Sequence, residues 1–194
     1  MKKLQLLLAI LVASISLSVQ VRAAERTAPQ FPQASTVESG KTYYLYNIET
    51  DKFLMGTVAP YIDEYTKAVA IDVVRMNDGS YTLQYSDSKY YIYATTSMNR
   101  RSSVNDYCYY SIIGGADGYK IQRAPANKSY YVENEFVGTA TDATNNLIVP
   151  NLTDGNITWK FIEKDAAEYY IAKRRLYEAL LVTDTYFYTV DNFE

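Results

Sequence analysis

"YYLYN", residues 43–47, sets four good strand formers (Tyr43, Tyr44, Leu45 and Tyr46) in a row. Near copies follow: "YYIYA" at 90–94 and "YYVEN" at 130–134. Taking Tyr44, Tyr91 and Tyr131 as the starts of three units spaces them 47 and 40 residues apart. A second series of marks runs alongside, the dipeptides Asp78-Gly79, Asp117-Gly118 and Asp154-Gly155, each leading into an aromatic-headed run: "YTLQY" from 81, "YKIQR" from 119 and "WKFIE" from 159. Asp-Gly between extended runs is a hairpin signal, because a tight primed turn needs positive φ at its centre.

Further strand candidates fill the units, "KFLMG" and "AVAIDVV" in the first, "DYCYYSII" in the second and "NLIVP" in the third. Each unit therefore holds about four short strands, too few units for a propeller ring, which needs at least about four blades. The expected fold class is all-β: a β-trefoil of three four-stranded repeats about a pseudo-threefold axis, six strands closing a barrel and three hairpins capping it. Closure hides the sheet edges that would otherwise invite aggregation. The first Tyr of each unit, Leu83, Ile121, Phe161 and Trp159 are expected to fill the barrel.

Around this domain the pattern changes. "MKK", an apolar run and "VRA" before Ala24 read as a secretory signal over residues 1–23, with Ser14, Ser16, Ser18 and Gln20 interrupting the run before it reaches the length of a membrane span. The expected organisation is a signal at 1–23, a linker at 24–38, the trefoil at 39–164 and a helical extension at 165–194 leading into a further domain. Export places the protein in the secreted, cell-surface or periplasmic space. The extension rests on "EKDAAEYYIAKRRLYEALL", 163–181, which brings Tyr169, Leu176 and Leu180 near one helix face. A lone helix of that length is marginal in water, so it is expected to pack on the trefoil or on something downstream, while the trefoil, a closed barrel with its own core, is expected to fold without residues 165–194.

The chain carries 19 basic and 22 acidic residues, a net charge of −3 that becomes −6 once Lys2, Lys3 and Arg22 leave with the signal. Nucleic acid, which needs a basic footprint, is not an expected partner. The two basic clusters, Arg100-Arg101 and Lys173-Arg174-Arg175, read as solvated surface. The single Cys108 permits no internal disulfide, so stability must come from an apolar core, and Cys108 itself reads as a small buried residue. Histidine is absent, which removes Ser-His and Cys-His nucleophiles and imidazole metal ligation. No phosphate loop, metal-ligand spacing or Gly-x-Ser-x-Gly is present. No cofactor, metal or catalytic activity is expected, and the sequons at Asn127, Asn151 and Asn156 reflect Asn and Thr content.

"GKTYYLYNIETDKFLMG", 40–56, resembles the "YYLYN-x-x-T-x-K-(F/Y)-L" opening of ricin-type β-trefoil, lectin-like modules of exported Bacteroidetes proteins. The resemblance spans about residues 39–164 and is specific in its first unit. It implies a non-catalytic sugar-binding or adhesive module whose partner is a glycan or a host or cell-surface glycoprotein. The Gln-x-Trp usual near the end of each ricin-type unit is missing, its places reading "LQY", "IQR" and "TWK". In those lectins it is chiefly a core element.

The distances from starting Tyr to hairpin Asp, 34, 26 and 23 residues, place extra chain in the first unit, within "GTVAPYIDEYTKA", 56–68. Tyr61, Asp63, Glu64 and Tyr65 there offer aromatic faces for stacking on a sugar and carboxylates for its hydroxyls. Further candidates are turn residues after the opening strands: Asn47 and Asp51 in unit one, Asn99 in unit two, Asn134 and Asp142 in unit three. Two functions remain open on these residues, a carbohydrate-binding module forming the N-terminal part of a larger surface or secreted protein, and a protein-interaction or adhesin trefoil that binds no sugar.

Overall fold

A computed structural model describes residues 30–32, 36–56, 60–115, 117–140 and 147–190. The expected signal, most of the expected linker, Asp142 and the last four residues lie outside them. The chain divides into a body, Phe31–Ile171, and a remainder that includes the helix from Ala172 onward. Among the described residues no helix is long and apolar enough to cross a membrane.

The body is a β-trefoil. Among the described residues twelve strands run in order: β1 (Lys41–Asn47), β2 (Lys52–Met55), β3 (Tyr61–Asp63), β4 (Ala70–Arg75), β5 (Tyr81–Tyr85), β6 (Tyr91–Ala94), β7 (Met98–Arg101), β8 (Tyr109–Gly115), β9 (Gly118–Arg123), β10 (Phe136–Thr139), β11 (Ile148–Leu152) and β12 (Thr158–Glu163), followed by α1 (Lys164–Val190). Antiparallel pairing runs β1–β4–β5–β8–β9–β12 and back to β1, which closes the barrel. The remaining strands form three hairpins, β2–β3, β6–β7 and β10–β11. Each unit is thus four consecutive strands, of which the first and last build the barrel.

Strand alternation sorts the side chains. Leu45, Leu83 and Ile121 point inward from the first strand of each unit and sit opposite Phe161, Val73 and Ile112 of the neighbouring fourth strand. They stand 38 residues apart, as do Tyr43, Tyr81 and Tyr119. Phe161 lies between the rings of Tyr43 and Tyr119, centroids 5.8 and 5.5 Å away and both nearly edge-on. Trp159, fully buried, donates its indole N–H to the Val137 carbonyl at 2.8 Å. Cys108 is free and buried.

That 38-residue frame differs from the one the tyrosine pairs suggest. "YYLYN" is β1, a first strand; "YYIYA" overlaps β6, a second strand; Tyr130 and Tyr131 lie in a loop. Tyr43 fills the barrel while Tyr90 is exposed and Tyr130 only half-buried. Any half-exposed strand favours tyrosine, so the pair does not reveal which strand of a unit carries it. The dipeptides Asp78-Gly79 and Asp117-Gly118 do occupy equivalent turns, β4–β5 and β8–β9. Asp154-Gly155 instead joins β11 to β12, which do not pair with each other. Within each dipeptide positive φ falls on the glycine and not on the aspartate, so Asp78-Gly79 does not form the primed turn expected of it. At Gly118, with φ +133°, a Cβ would approach the Thr158 methyl to 2.4 Å, which makes glycine necessary there.

The segment 56–68 is no insertion. It spans the β2–β3 hairpin and a 3₁₀ turn, Tyr65–Lys67, just as unit two follows its β6–β7 hairpin with the 3₁₀ turn Asp106–Cys108. The excess chain is in unit three, between first and second strands: residues 124–135, where unit one has only 48–51 and unit two 86–90.

A second apolar cluster lies outside the barrel. Phe31, Phe53, Met55, Ile162 and Ala167 are buried together, with Tyr44, Tyr46, Tyr65, Tyr170 and Ile171 packed against them. The outward tyrosines of β1 are therefore covered, and the first two turns of α1 belong to the body rather than to a separable extension.

Candidate functional site

The threefold frame assigns each surface position two counterparts. Tyr46, Gln84 and Gln122 face Phe53, Tyr91 and Phe136 across the first and second strands of their units. Each of the three holds down the loop that follows it: the Tyr46 hydroxyl donates to Asp51 at 2.8 Å, the Gln84 amide to the Lys89 carbonyl at 2.7 Å, and the Gln122 amide to the Val132 carbonyl at 3.1 Å. Each loop also turns on one left-handed residue shortly before the second strand, Asp51 (φ +53°), Lys89 (φ +58°) and Asn134 (φ +65°). Asp51 and Asn134 were legible as turn residues, but Asn99 is not their counterpart. It lies on β7 opposite Tyr93, its side-chain oxygen accepting from the Arg100 N–H. Lys89, found 38 residues after Asp51, is the residue the turn composition hid.

The other expected site residues divide by burial. Asn47 is fully buried; its amide donates to the Asn156 carbonyl at 3.1 Å and its oxygen accepts from the N–H and hydroxyl of Thr50. It is a brace for the barrel rim. Asp63 accepts from the Lys67 ammonium at 2.6 Å and from the Glu64 N–H at 2.8 Å, and these bonds hold its carboxyl below the ordinary range. Glu64 is exposed at the entry to the 3₁₀ turn, Tyr65 packs against the second apolar cluster, and Tyr61 sits opposite Met55 in the β2–β3 ladder.

Asn134 lines an open cleft of about 590 Å³. The long loop of unit three forms one wall with Tyr131, Glu133 and Asn134; β9 and β10 supply Lys120, Gln122 and Phe136; the β8–β9 turn closes the far side with Ile113 and Asp117. The Lys120 ammonium stands 4.9 Å from the Phe136 ring centroid. Among the described residues, the Tyr131 hydroxyl, the carboxylates of Asp117 and Glu133 and the Asn134 amide have no side-chain hydrogen-bond partner. The cleft thus presents an aromatic and aliphatic floor rimmed by uncommitted acceptors and donors.

Its loop is braced at several points. Asn127, fully buried, donates its amide to the Ala94 carbonyl at 3.0 Å, while its own carbonyl receives the N–H groups of Tyr130 and Tyr131. Arg123, also buried, donates to the Thr95 carbonyl at 2.7 Å and pairs with Glu135 at the loop's end. Tyr130 meets Tyr107 edge-on, centroids 5.5 Å apart. A loop held this way loses little freedom on binding. The signal that could have located it is the spacing: after Tyr119 and Ile121 the second strand arrives late.

Among solved structures, the chain is similar to part of a GH43 β-1,3-galactosidase, with a TM-score of 0.53, 15% identity, and coverage of 74% of this chain and 34% of that one. It is similar to part of a GlcNAcα1-4Gal-releasing endo-β-galactosidase from Clostridium perfringens, with a TM-score of 0.50, 14% identity, and coverage of 66% and 33%. It also matches nearly the whole of the BEL β-trefoil, with a TM-score of 0.50, 7% identity, and coverage of 70% and 98%. The chain spans about a third of the length of the two galactosidases. These likenesses establish the β-trefoil fold. No protein-family profile matches the sequence, and no curated protein matches it.

Proposed function

We propose that this chain is an exported, non-catalytic carbohydrate-binding module of the ricin-type, lectin-like kind, and that its sugar site is the unit-three cleft. The observation that carries the reading is the pairing of apolar surface with uncommitted polar groups in a braced concavity. Tyr131, Phe136 and Ile113 supply faces for a pyranose ring, while Asp117, Glu133 and Asn134 are free to meet hydroxyls. A concave, mostly apolar site of a few hundred Å³ with a few convergent polar groups is the usual form of a small-ligand site. The likeness to portions of two galactosidases supports a place beside carbohydrate-active domains in a larger protein, and suggests galactose-containing glycans as the first panel to test.

The test is a glycan array on the protein, followed by calorimetry on the variant Tyr131→Ala, Glu133→Gln. Binding is expected for the native protein, with a loss on the order of tenfold or more in the variant at unchanged melting temperature. A native protein that binds no glycan overturns the reading in favour of a protein-interaction trefoil. A variant that binds unchanged moves the site away from the cleft.

A further inference from the structure

The three units treat the same surface position differently. The outward aromatic of the second strand is Phe53 in unit one, Tyr91 in unit two and Phe136 in unit three. Beside it, on the fourth barrel strand, stand Ile162, Val74 and Ile113, which are 0%, 42% and 50% exposed. In unit one Phe31 and the first turns of α1 cover the position. In unit three the long loop walls it into the cleft. In unit two Tyr91 is half-buried and Val74 is exposed.

Unit two also differs in charge. The third-strand residue opposite the shared aromatic is Asp63 in unit one, Leu152 in unit three and Arg101 in unit two. Arg101 shares the outer face of the β6–β7 hairpin with Tyr91 and Tyr93, its guanidinium 5.9 Å from the Tyr93 ring centroid. Arg100 projects from the opposite face of β7 and lies 4.9 Å over Tyr90. Among the described residues β7 ends the strand order, so the two guanidiniums flank an edge that pairs with no further strand there. Among the described residues neither arginine makes an ion pair. Lys89, on the adjoining loop, is 61% exposed at its side chain although it reaches Asp72. Two unneutralised guanidiniums, each stacked on a tyrosine, are unexpected in a chain of net charge −3.

We propose that the β6–β7 hairpin is a second glycan-binding surface, distinct from the cleft, that takes an acidic polysaccharide chain carrying sulfate or carboxylate groups. Guanidinium presents paired N–H donors that match both anions. Tyr90, Tyr91 and Tyr93 supply ring faces for the sugars between the charges. A polyanion lying along the β7 edge meets Arg101 on one side and Arg100 on the other. A nucleic acid fits less well, because the chain is acidic overall and two guanidiniums on one hairpin fall short of a basic footprint. The proposal does not depend on the cleft.

The test uses the full chain and four probes: chondroitin sulfate, polygalacturonate, neutral dextran and a single-stranded oligonucleotide. Affinity is measured at two salt concentrations, with Arg100→Gln, Arg101→Gln, the charge-keeping Arg100→Lys, Arg101→Lys pair, and Tyr131→Ala as the cleft control. Native protein is expected to bind the sulfated chain or the polyuronate, and which of them binds identifies the anion. Binding should weaken with salt, fall by about tenfold for each Arg→Gln change, survive in part in the lysine pair, and ignore Tyr131→Ala. If the glutamine pair fails to fold, the lysine pair and the salt series carry the comparison. Binding to neither acidic chain, affinity equal to that for the neutral dextran, an unaffected glutamine pair or tighter binding of the oligonucleotide each overturns the proposal and leaves the cleft reading standing.

Discussion

Phe31 meets Phe53 edge-on, ring centroids 5.0 Å apart at 83°. With Tyr46 at 5.5 Å and Tyr170 at 6.4 Å, Phe31 forms the centre of the cluster outside the barrel, and its carbonyl accepts from the Lys160 ammonium at 3.0 Å. The residues just before the first strand are thus structural, as is the start of α1.

Phe31→Ala should therefore cost about 3 kcal/mol or more, read as a lowered urea midpoint. Ala167 is fully buried in the same cluster. A chain ending at Glu163 should lose stability markedly, whereas one ending at Ile171 should keep the native melting transition. Equal melting of the two truncations would remove α1 from the body's core.

Asn47→Ala should destabilise by about 1–3 kcal/mol, because it takes the acceptor from the Thr50 N–H and hydroxyl and one of two donors from the Asn156 carbonyl, which keeps the Thr139 N–H. Glycan affinity per folded molecule should not change. A stable Asn47→Ala protein with weakened binding would return this residue to the ligand site.

Tyr110→Phe should be neutral or stabilising by up to about 1 kcal/mol. The Tyr110 hydroxyl is buried without a hydrogen-bond partner, so removing it eliminates a desolvation cost while keeping the ring that packs in the barrel. Thermal melting of this single variant decides the matter: a drop of several degrees would show that the hydroxyl is satisfied.

Alkali should unfold the protein earlier than acid-base neutrality alone suggests. Burial pushes the Cys108 thiol and the phenols of Tyr85 and Tyr110 up. A group whose pKa is higher in the folded state holds its proton there more tightly, so its contribution is full below the unfolded value and is lost as pH rises. Unfolded values are about 8.5 for Cys and about 10 for Tyr. The urea midpoint should be level near neutrality and fall steadily above about pH 9. The same burial predicts slow labelling of Cys108 by thiol reagents until urea opens the fold.

The sequence by itself determined the local choices. Period-two alternation, Asp-Gly punctuation and the absence of disulfide-forming pairs were enough for an all-β, hairpin-rich trefoil with a helix after it, because strand and turn formation depend on neighbours a few residues apart. It also marked Asp51 and Asn134 as turns. Only the tertiary structure decided which strand was which. Leu45 finds Phe161 across nearly the whole body, and no short-range pattern encodes that closure. The tyrosine pairs mimicked a repeat whose true register is carried by Tyr43, Tyr81 and Tyr119. For the same reason the partial burial of Tyr44 and Tyr46, the long loop that walls the cleft, and the placement of Arg100 and Arg101 beside their tyrosines were set by tertiary packing: Phe31 and the first turns of α1 on the first unit, and the unit's own loop on the third.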